Sequence, residues 1–199
     1  MMRRSLRTVA GLLLALATSA CLTGGRRGGD AAMTAYDLGL PVMRAEAGGS
    51  AGTRWQLEVK APVWLDSAAM VYRLAYADPA QWREFSQARW VAPPAGLLER
   101  RLQRLLGYAP AGRRGACLLR LELDEFSQVF TDPQRSHALL WLQASWFDGE
   151  RKPLLVKPVR IELAAGADAQ SGVAALVQAV ESLAGQLAAQ EKTLSANCR

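Results

Sequence analysis

The chain contains a single histidine, His137, and it has no CxxC pair, no GxGxxG and no GxxxxGK[ST]. With one histidine and no close cysteine pair, there is no ligand set for a zinc site. Without a P-loop the chain cannot act as that kind of nucleotide motor. A Ser-His-Asp or Cys-His arrangement would have to be built on His137. That residue is followed by Ala138 and Leu139 in a strand-like pattern and reads as an ordinary strand residue. Glu122, Asp124 and Glu125 form an acidic cluster, but Leu121 and Leu123 alternate with it, so it reads as a solvent or partner face rather than a catalytic carboxylate pair. No catalytic and no metal-binding residue is expected, and the chain reads as a non-enzyme.

Long apolar runs are also missing. The most apolar segment, Val9 to Ala17, is too short for a hydrocarbon core that needs about 20 residues. It follows Arg3, Arg4 and Arg7 and precedes the small residues Thr18, Ser19 and Ala20, which is the layout of an export signal over residues 1–20. Cys21 stands next, and residues 17–21, ATSAC, resemble a lipobox, with Thr18 where that motif usually carries Leu. Cys21 is therefore the expected lipidation site, carrying diacylglycerol and an N-acyl chain and no other cofactor. Each buried methylene contributes about 0.8 kcal/mol, so several chains hold a protein at a membrane essentially permanently. Lipoproteins kept in the inner membrane of enteric bacteria resemble a pattern with Asp after the cysteine. Leu22 stands there, which points to the outer membrane, facing the periplasm.

The whole chain has 24 Lys and Arg against 18 Asp and Glu. Residues 1–20 hold three of those arginines and no acid, so the remainder carries a net charge of +3. No basic run with interleaved aromatics appears, and nucleic acid is not an expected partner. Arg100, Arg101 and Arg104 read as the solvated side of an amphipathic helix. Once Cys21 is assigned to lipid, Cys117 and Cys198 remain, and in an oxidising compartment they can pair and pin the C-terminal tail to a strand.

Residues 21–34 read as the lipidated N-terminus and tether, with 35–199 as one periplasmic domain. A short ordered island at Tyr36 to Met43 is followed by a loop at 44–53. Strict alternation from Trp55 to Lys60 predicts a strand. Further strands are expected at Met70 to Tyr76, Phe85 to Val91, Cys117 to Asp124, Ser136 to Phe147 and Leu154 to Leu163, with a bulge near Glu125 where the apolar phase shifts. Asp148 and Gly149 predict a hairpin turn. Pro93 and Pro94 open a helix whose leucine stripe, Leu97 to Leu106, ends at Gly107. A long helix over about 170–194 closes the chain. About six strands in a mixed sheet with two main helices on one face make an α/β, or layered α+β, fold.

Six tryptophans stand out in a small domain. Core packing accounts for most, but an aromatic on a strand face that the core does not need can mark a binding surface. Trp141 lies on the second apolar face of Ser136 to Phe147. The run Pro62, Val63, Trp64, Leu65, with Tyr72 beyond it, holds more apolar groups than one strand face requires. These six residues are the expected partner or oligomer surface, and self-association is expected.

Four segments carry a family resemblance: YDLG at 36–39, VKAPVWLDSAAMVYRL at 59–74, RWVAPPAGLLERRL at 89–102 and LRLELDEFSQVF at 119–130. With the lipobox they resemble the ABC-type transport auxiliary lipoproteins, the group that includes the PqiC-type subunits. The resemblance implies an anticodon-binding-like, TolB N-terminal-like domain working beside MCE (mammalian cell entry) proteins that move lipid between the inner and outer membranes. The permease and ATPase of such a system are separate subunits. A soluble periplasmic binding protein for an apolar ligand is the competing reading, and an envelope hydrolase using His137 is a third.

Overall fold

The computed structural model describes residues 32–40, 55–112 and 116–198. Cys21, the signal segment, most of the tether and the 44–53 loop lie outside the described residues. One compact unit begins at Met33.

Its elements are β1 (Thr34–Tyr36), β2 (Trp55–Lys60), β3 (Ala69–Leu74), β4 (Asp78–Trp90), α1 (Pro94–Leu106), β5 (Ala109–Pro110), β6 (Cys117–Asp132), β7 (Arg135–Phe147), β8 (Pro153–Ala165) and α2 (Ala169–Leu194). Among the described residues there are thus eight strands, not six. The two unexpected ones are the very short β1 and β5, each of which pairs in parallel with a longer strand. The fold is the expected mixed α+β arrangement.

The organising strand is β6. One of its edges pairs with β7 along nearly its full length. Its other edge is shared by two strands that run parallel to it in succession. β2 takes the first half, from Trp55 opposite Cys117 to Lys60 opposite Glu122. β3 takes the second, from Tyr72 opposite Gln128 to Leu74 opposite Phe130. Between them the chain leaves the ladder at Ala61 and Pro62 and makes a 3-10 turn at Val63–Leu65. Pro62 has no N–H to give to a sheet, so the departure falls there.

The expected bulge sits opposite that departure. Asp124 is the extra residue, since Leu123 pairs with Leu142 while Glu125 pairs with the very next residue, Trp141. It changes which residues of β6 face the helices: Leu119, Leu121 and Leu123 before it, Phe126 and Gln128 after it. The sequence reading ended this strand at Asp124; the strand instead runs through the bulge to Asp132. β4 is longer than expected for a related reason. It begins at Asp78 and tolerates polar, exposed positions because β1 covers its far edge only at Ala88 to Trp90, and it pairs with β3 through two register shifts. Tyr76 falls outside the expected strand, in the turn between β3 and β4.

The Asp148–Gly149 hairpin exists, but as a longer loop than a two-residue turn. The Asp148 carboxylate accepts from the N–H groups of Glu150 and Lys152, both at 2.9 Å, and Arg151, not Gly149, takes the left-handed conformation with φ 68°. An aspartate side chain can substitute for a backbone acceptor in this way, which closes the loop without a two-residue turn.

Both helices cover one face of the sheet. Leu98 and Leu102 of α1 and Val173, Leu176, Val180, Leu183 and Leu187 of α2 join Trp55, Leu57, Phe126, Leu140, Leu142 and Trp146 in one core. α1 starts on Pro94 and stops at Gly107, whose φ of 70° suits glycine. α2 is long and apolar enough to cross a membrane by composition alone, but its apolar stripe packs on β7 and β8. Asp168 caps it, accepting from Ser171 N at 2.7 Å.

Arg101 corrects the sequence reading of α1. It is buried, not solvated, and donates to the Gly39 carbonyl at 2.7 Å and to Glu181 Oε1 at 2.8 Å. The helix stripe is therefore wider than its leucines, and the cation links the segment after β1 to both helices.

Two further locks hold α2. Cys117 and Cys198 are joined in a disulfide between the first residue of β6 and the tail beyond α2, with Cα atoms 5.8 Å apart and a sequence separation of 81. At the other end Gln128 reaches from β6 and donates to Ser136 Oγ at 2.8 Å and the Gly166 carbonyl at 2.9 Å. Gly172 lies directly over this amide, where any Cβ would overlap it.

Two stability predictions follow from these locks. Reduction of the disulfide, or the Cys117→Ser, Cys198→Ser pair, lowers the unfolding free energy by up to about 4–5 kcal/mol on loop-entropy grounds, measured by urea unfolding; an unchanged midpoint would show that the tail needs no covalent pin. Gly172→Ala costs roughly 1–3 kcal/mol through the forced shift of Gln128 or α2, read as a lowered thermal midpoint.

Candidate functional site

Residues directly opposed on neighbouring strands share a face, so the register defines the surface turned away from the helices. β6 contributes Arg120, Glu122, Glu125 and Ser127; β7 contributes Leu139, Trp141 and Gln143; β8 contributes Arg160 and Glu162. This face is apolar at its base and ionic above. Leu139 and Ser127 are buried, while Trp141 is 42% exposed and Val156 on β8 is 51% exposed. The Arg160 guanidinium stands 5.5 Å from the Trp141 ring centre and bonds Glu162 at 2.7 Å. Arg120 lies 5.3 Å over the Phe147 ring and donates to Glu58 Oε2 at 2.7 Å. Partial burial pulls the Glu58 carboxyl upward, but Arg120 and Lys60 outweigh it and hold that carboxyl below its ordinary value.

The acidic cluster does not act as a unit. Glu122 and Asp124 are exposed, whereas Glu125 is buried and held by Arg73 of β3, whose guanidinium nitrogens lie 3.4 and 2.8 Å from its two oxygens. This pair bridges β3 to β6 beside the bulge. It was not identified from the sequence, and the available signal was Glu125 itself, an acid placed where the alternation breaks. His137 is half-buried with Nε2 3.8 Å from Glu162 Oε2. Among the described residues no three His, Cys, Asp or Glu side chains converge as a metal set.

The six expected surface residues separate into three groups. Val63 and Trp64 are exposed, 89% and 65%, on the 3-10 turn, with Pro62 half-buried at its base. Trp141 is on the helix-free sheet face. Leu65 is a correction, and Tyr72 is half-buried. Leu65 is only 3% exposed and belongs to the core, because a single 3-10 turn must place one of its three side chains inward to stay attached. Tyr72 packs on Phe85 and Phe130 with ring centres 4.6 and 5.7 Å away, which stiffens the β3–β4 and β3–β6 pairings.

One buried ionisable contact lies on the helix side. The Tyr108 hydroxyl, just beyond α1, donates to Glu191 of α2. Burial pushes the Glu191 carboxyl up to about 7, against the downward pull of the Tyr108 hydrogen bond. Burial, then the nearby Glu191 charge, pushes the Tyr108 hydroxyl far above the usual phenol range. Sequence patterning carried no signal for this pair, since its members are distant in the chain.

No family model matches the sequence, and no curated protein matches it. Several solved structures are similar in fold, and two of them align over nearly their whole length. Protein XCC0632 from Xanthomonas campestris, of the family DUF330, aligns with a TM-score of 0.66 at 18% identity over 82% of this chain and 98% of that one. A second, described as an uncharacterized protein, aligns with a TM-score of 0.60 at 16% identity over 80% of this chain and 98% of that one. These likenesses establish the fold class: a layered α+β domain with a mixed sheet and two helices.

A carboxyl raised by folding contributes stability that is complete below about pH 4.5 and is lost as pH rises through about 7. Glu191→Gln, which cannot ionise, is therefore expected to flatten the fall in thermal midpoint between pH 5 and 8. An equally steep fall in the variant would assign the pH dependence to other groups.

Proposed function

We propose that the chain is a non-catalytic auxiliary lipoprotein of an MCE-containing, ABC-type transport system. It is anchored through acylated Cys21 to the periplasmic face of the outer membrane and serves as an adaptor at the end of a lipid path. The observation that carries this reading is ATSAC at 17–21, closing an export signal shortly before a folded unit that begins at Met33. The family resemblance over about Tyr36 to Leu187 supplies the transport context, and the permease, ATPase and MCE-domain protein would be its partners.

The helix-free sheet face supports the adaptor role. An exposed tryptophan with an arginine over its ring brings together two of the residue types enriched at the centre of protein interfaces. Trp141 and Arg160 are accordingly assigned to contact with a protein partner, either the MCE-domain protein or a second copy of this chain. Substrate transport would then depend on positioning by this domain, with the energy supplied by the separate ATPase.

The intact mass of the detergent-extracted protein tests the anchor. A chain beginning at Cys21 with a diacylglyceryl group and an amide-linked acyl chain is expected, with both additions absent in Cys21→Ala. Co-purification with the MCE-domain protein of the same system, weakened at least tenfold by Trp141→Glu, tests the adaptor. An unmodified, fully soluble protein that retains no such partner would overturn the proposal.

A further inference from the structure

Three chain segments meet at the end of the β3–β4 ladder, beside the middle of β6, tied by main-chain hydrogen bonds. Thr34 to Tyr36 of β1 run beside Ala88 to Trp90 of β4. Val91 N donates to the Tyr36 carbonyl at 2.8 Å, and Trp90 N donates to the Ala68 carbonyl at 2.9 Å. The first segment is where the chain from Cys21 joins the fold. The last contact places the 61–68 loop two strands away.

Large apolar side chains are exposed on each of these segments: Met33 (53%) before β1, Val91 (57%) after β4, and Val63 (89%) and Trp64 (65%) on the loop. The loop is a built protrusion. Leu65 N donates to the Pro62 carbonyl at 2.9 Å and Asp66 N to the Val63 carbonyl at 3.2 Å, while the buried Leu65 pegs the turn to the core. Val63 and Trp64 are thereby held outward, two large apolar side chains that the core does not cover.

We infer that the protruding loop beside β1 rests on a lipid surface, with Val63 and Trp64 inserted at the level of the headgroups and upper acyl chains. The inference rests on the lipidated-Cys21 reading and adds to it a second membrane contact. Residues 22–33 can span at most roughly 40 Å even when fully extended, so the segment they join stays close to the bilayer. Insertion of the loop is then an intramolecular event, and a contact too weak to recruit a free protein becomes populated. Tryptophan is suited to the site because its ring partitions to the membrane interface. Lys60, before the loop, and Arg89, opposite Ala69, are exposed beside it and can reach lipid phosphates, with Asp66 the exposed acid on the loop itself.

The test uses the mature protein incorporated into phosphatidylethanolamine–phosphatidylglycerol vesicles with brominated acyl chains, which quench tryptophans at the bilayer. Emission of the wild type is expected to fall relative to unbrominated vesicles. Trp64→Phe, a change at an exposed site that leaves the thermal midpoint unaltered, should abolish most of that difference, whereas Trp141→Phe should preserve it. Equal quenching in wild type and Trp64→Phe would overturn the inference. So would Trp64 that is shielded from iodide in lipid-free detergent while sedimentation reports a dimer or larger, which would assign the loop to a second copy of the chain. Intact mass separates this from failure of the anchor reading. A lipidated protein without Trp64 quenching loses only the loop contact, and an unlipidated protein that is still quenched through Trp64 loses only the anchor.

Discussion

The bulge at Asp124 is the constraint on which the rest of the molecule depends. A strand as long as β6 cannot keep one apolar face against the helices through strict alternation when its sequence changes phase in the middle. One unpaired residue converts Leu119, Leu121, Leu123 into Leu119, Leu121, Leu123, Phe126 on a single face. The same point in the register is where β2 gives way to β3 on the opposite edge. The break in that edge is stabilised by Arg73, which reaches from β3 to Glu125 immediately after the bulge. A buried carboxylate without this partner would carry a desolvation cost of several kcal/mol, so the ion pair and the bulge belong to one local solution.

That solution produces the protruding loop. Two strands in succession along one edge of β6 must be joined by chain that leaves the sheet, and Pro62 marks where it leaves. The turn that results has one inward side chain, Leu65, and two outward ones. The same geometry that completes the sheet therefore places Val63 and Trp64 in solvent near the point where the N-terminal segment joins the domain.

The two faces of the sheet are used differently. The helical side is sealed by apolar packing, by the buried Arg101 tie between the Gly39 carbonyl and Glu181, and by the disulfide that fastens the tail to the start of β6. The other side keeps alternating charge and aromatic rings, with arginines laid over Trp141 and Phe147.

The sequence by itself determined the strand and helix periodicity, the proline start and glycine stop of α1, the phase shift near Glu125 and the two helices on one face. Each of these is written in nearest neighbours or in a fixed repeat, and both are visible without the fold. It also marked Cys21 and left Cys117 and Cys198 as the cysteines available to pair. Only the tertiary structure decided which of Val63, Trp64 and Leu65 faces inward, and that Arg101 is buried while Arg100 and Arg104 are not. Only it brought together Arg73 with Glu125, Tyr108 with Glu191 and Gln128 with Gly172. These depend on register and packing between segments far apart in the chain, and side-chain pattern along one segment carries no information about which distant residue will lie opposite.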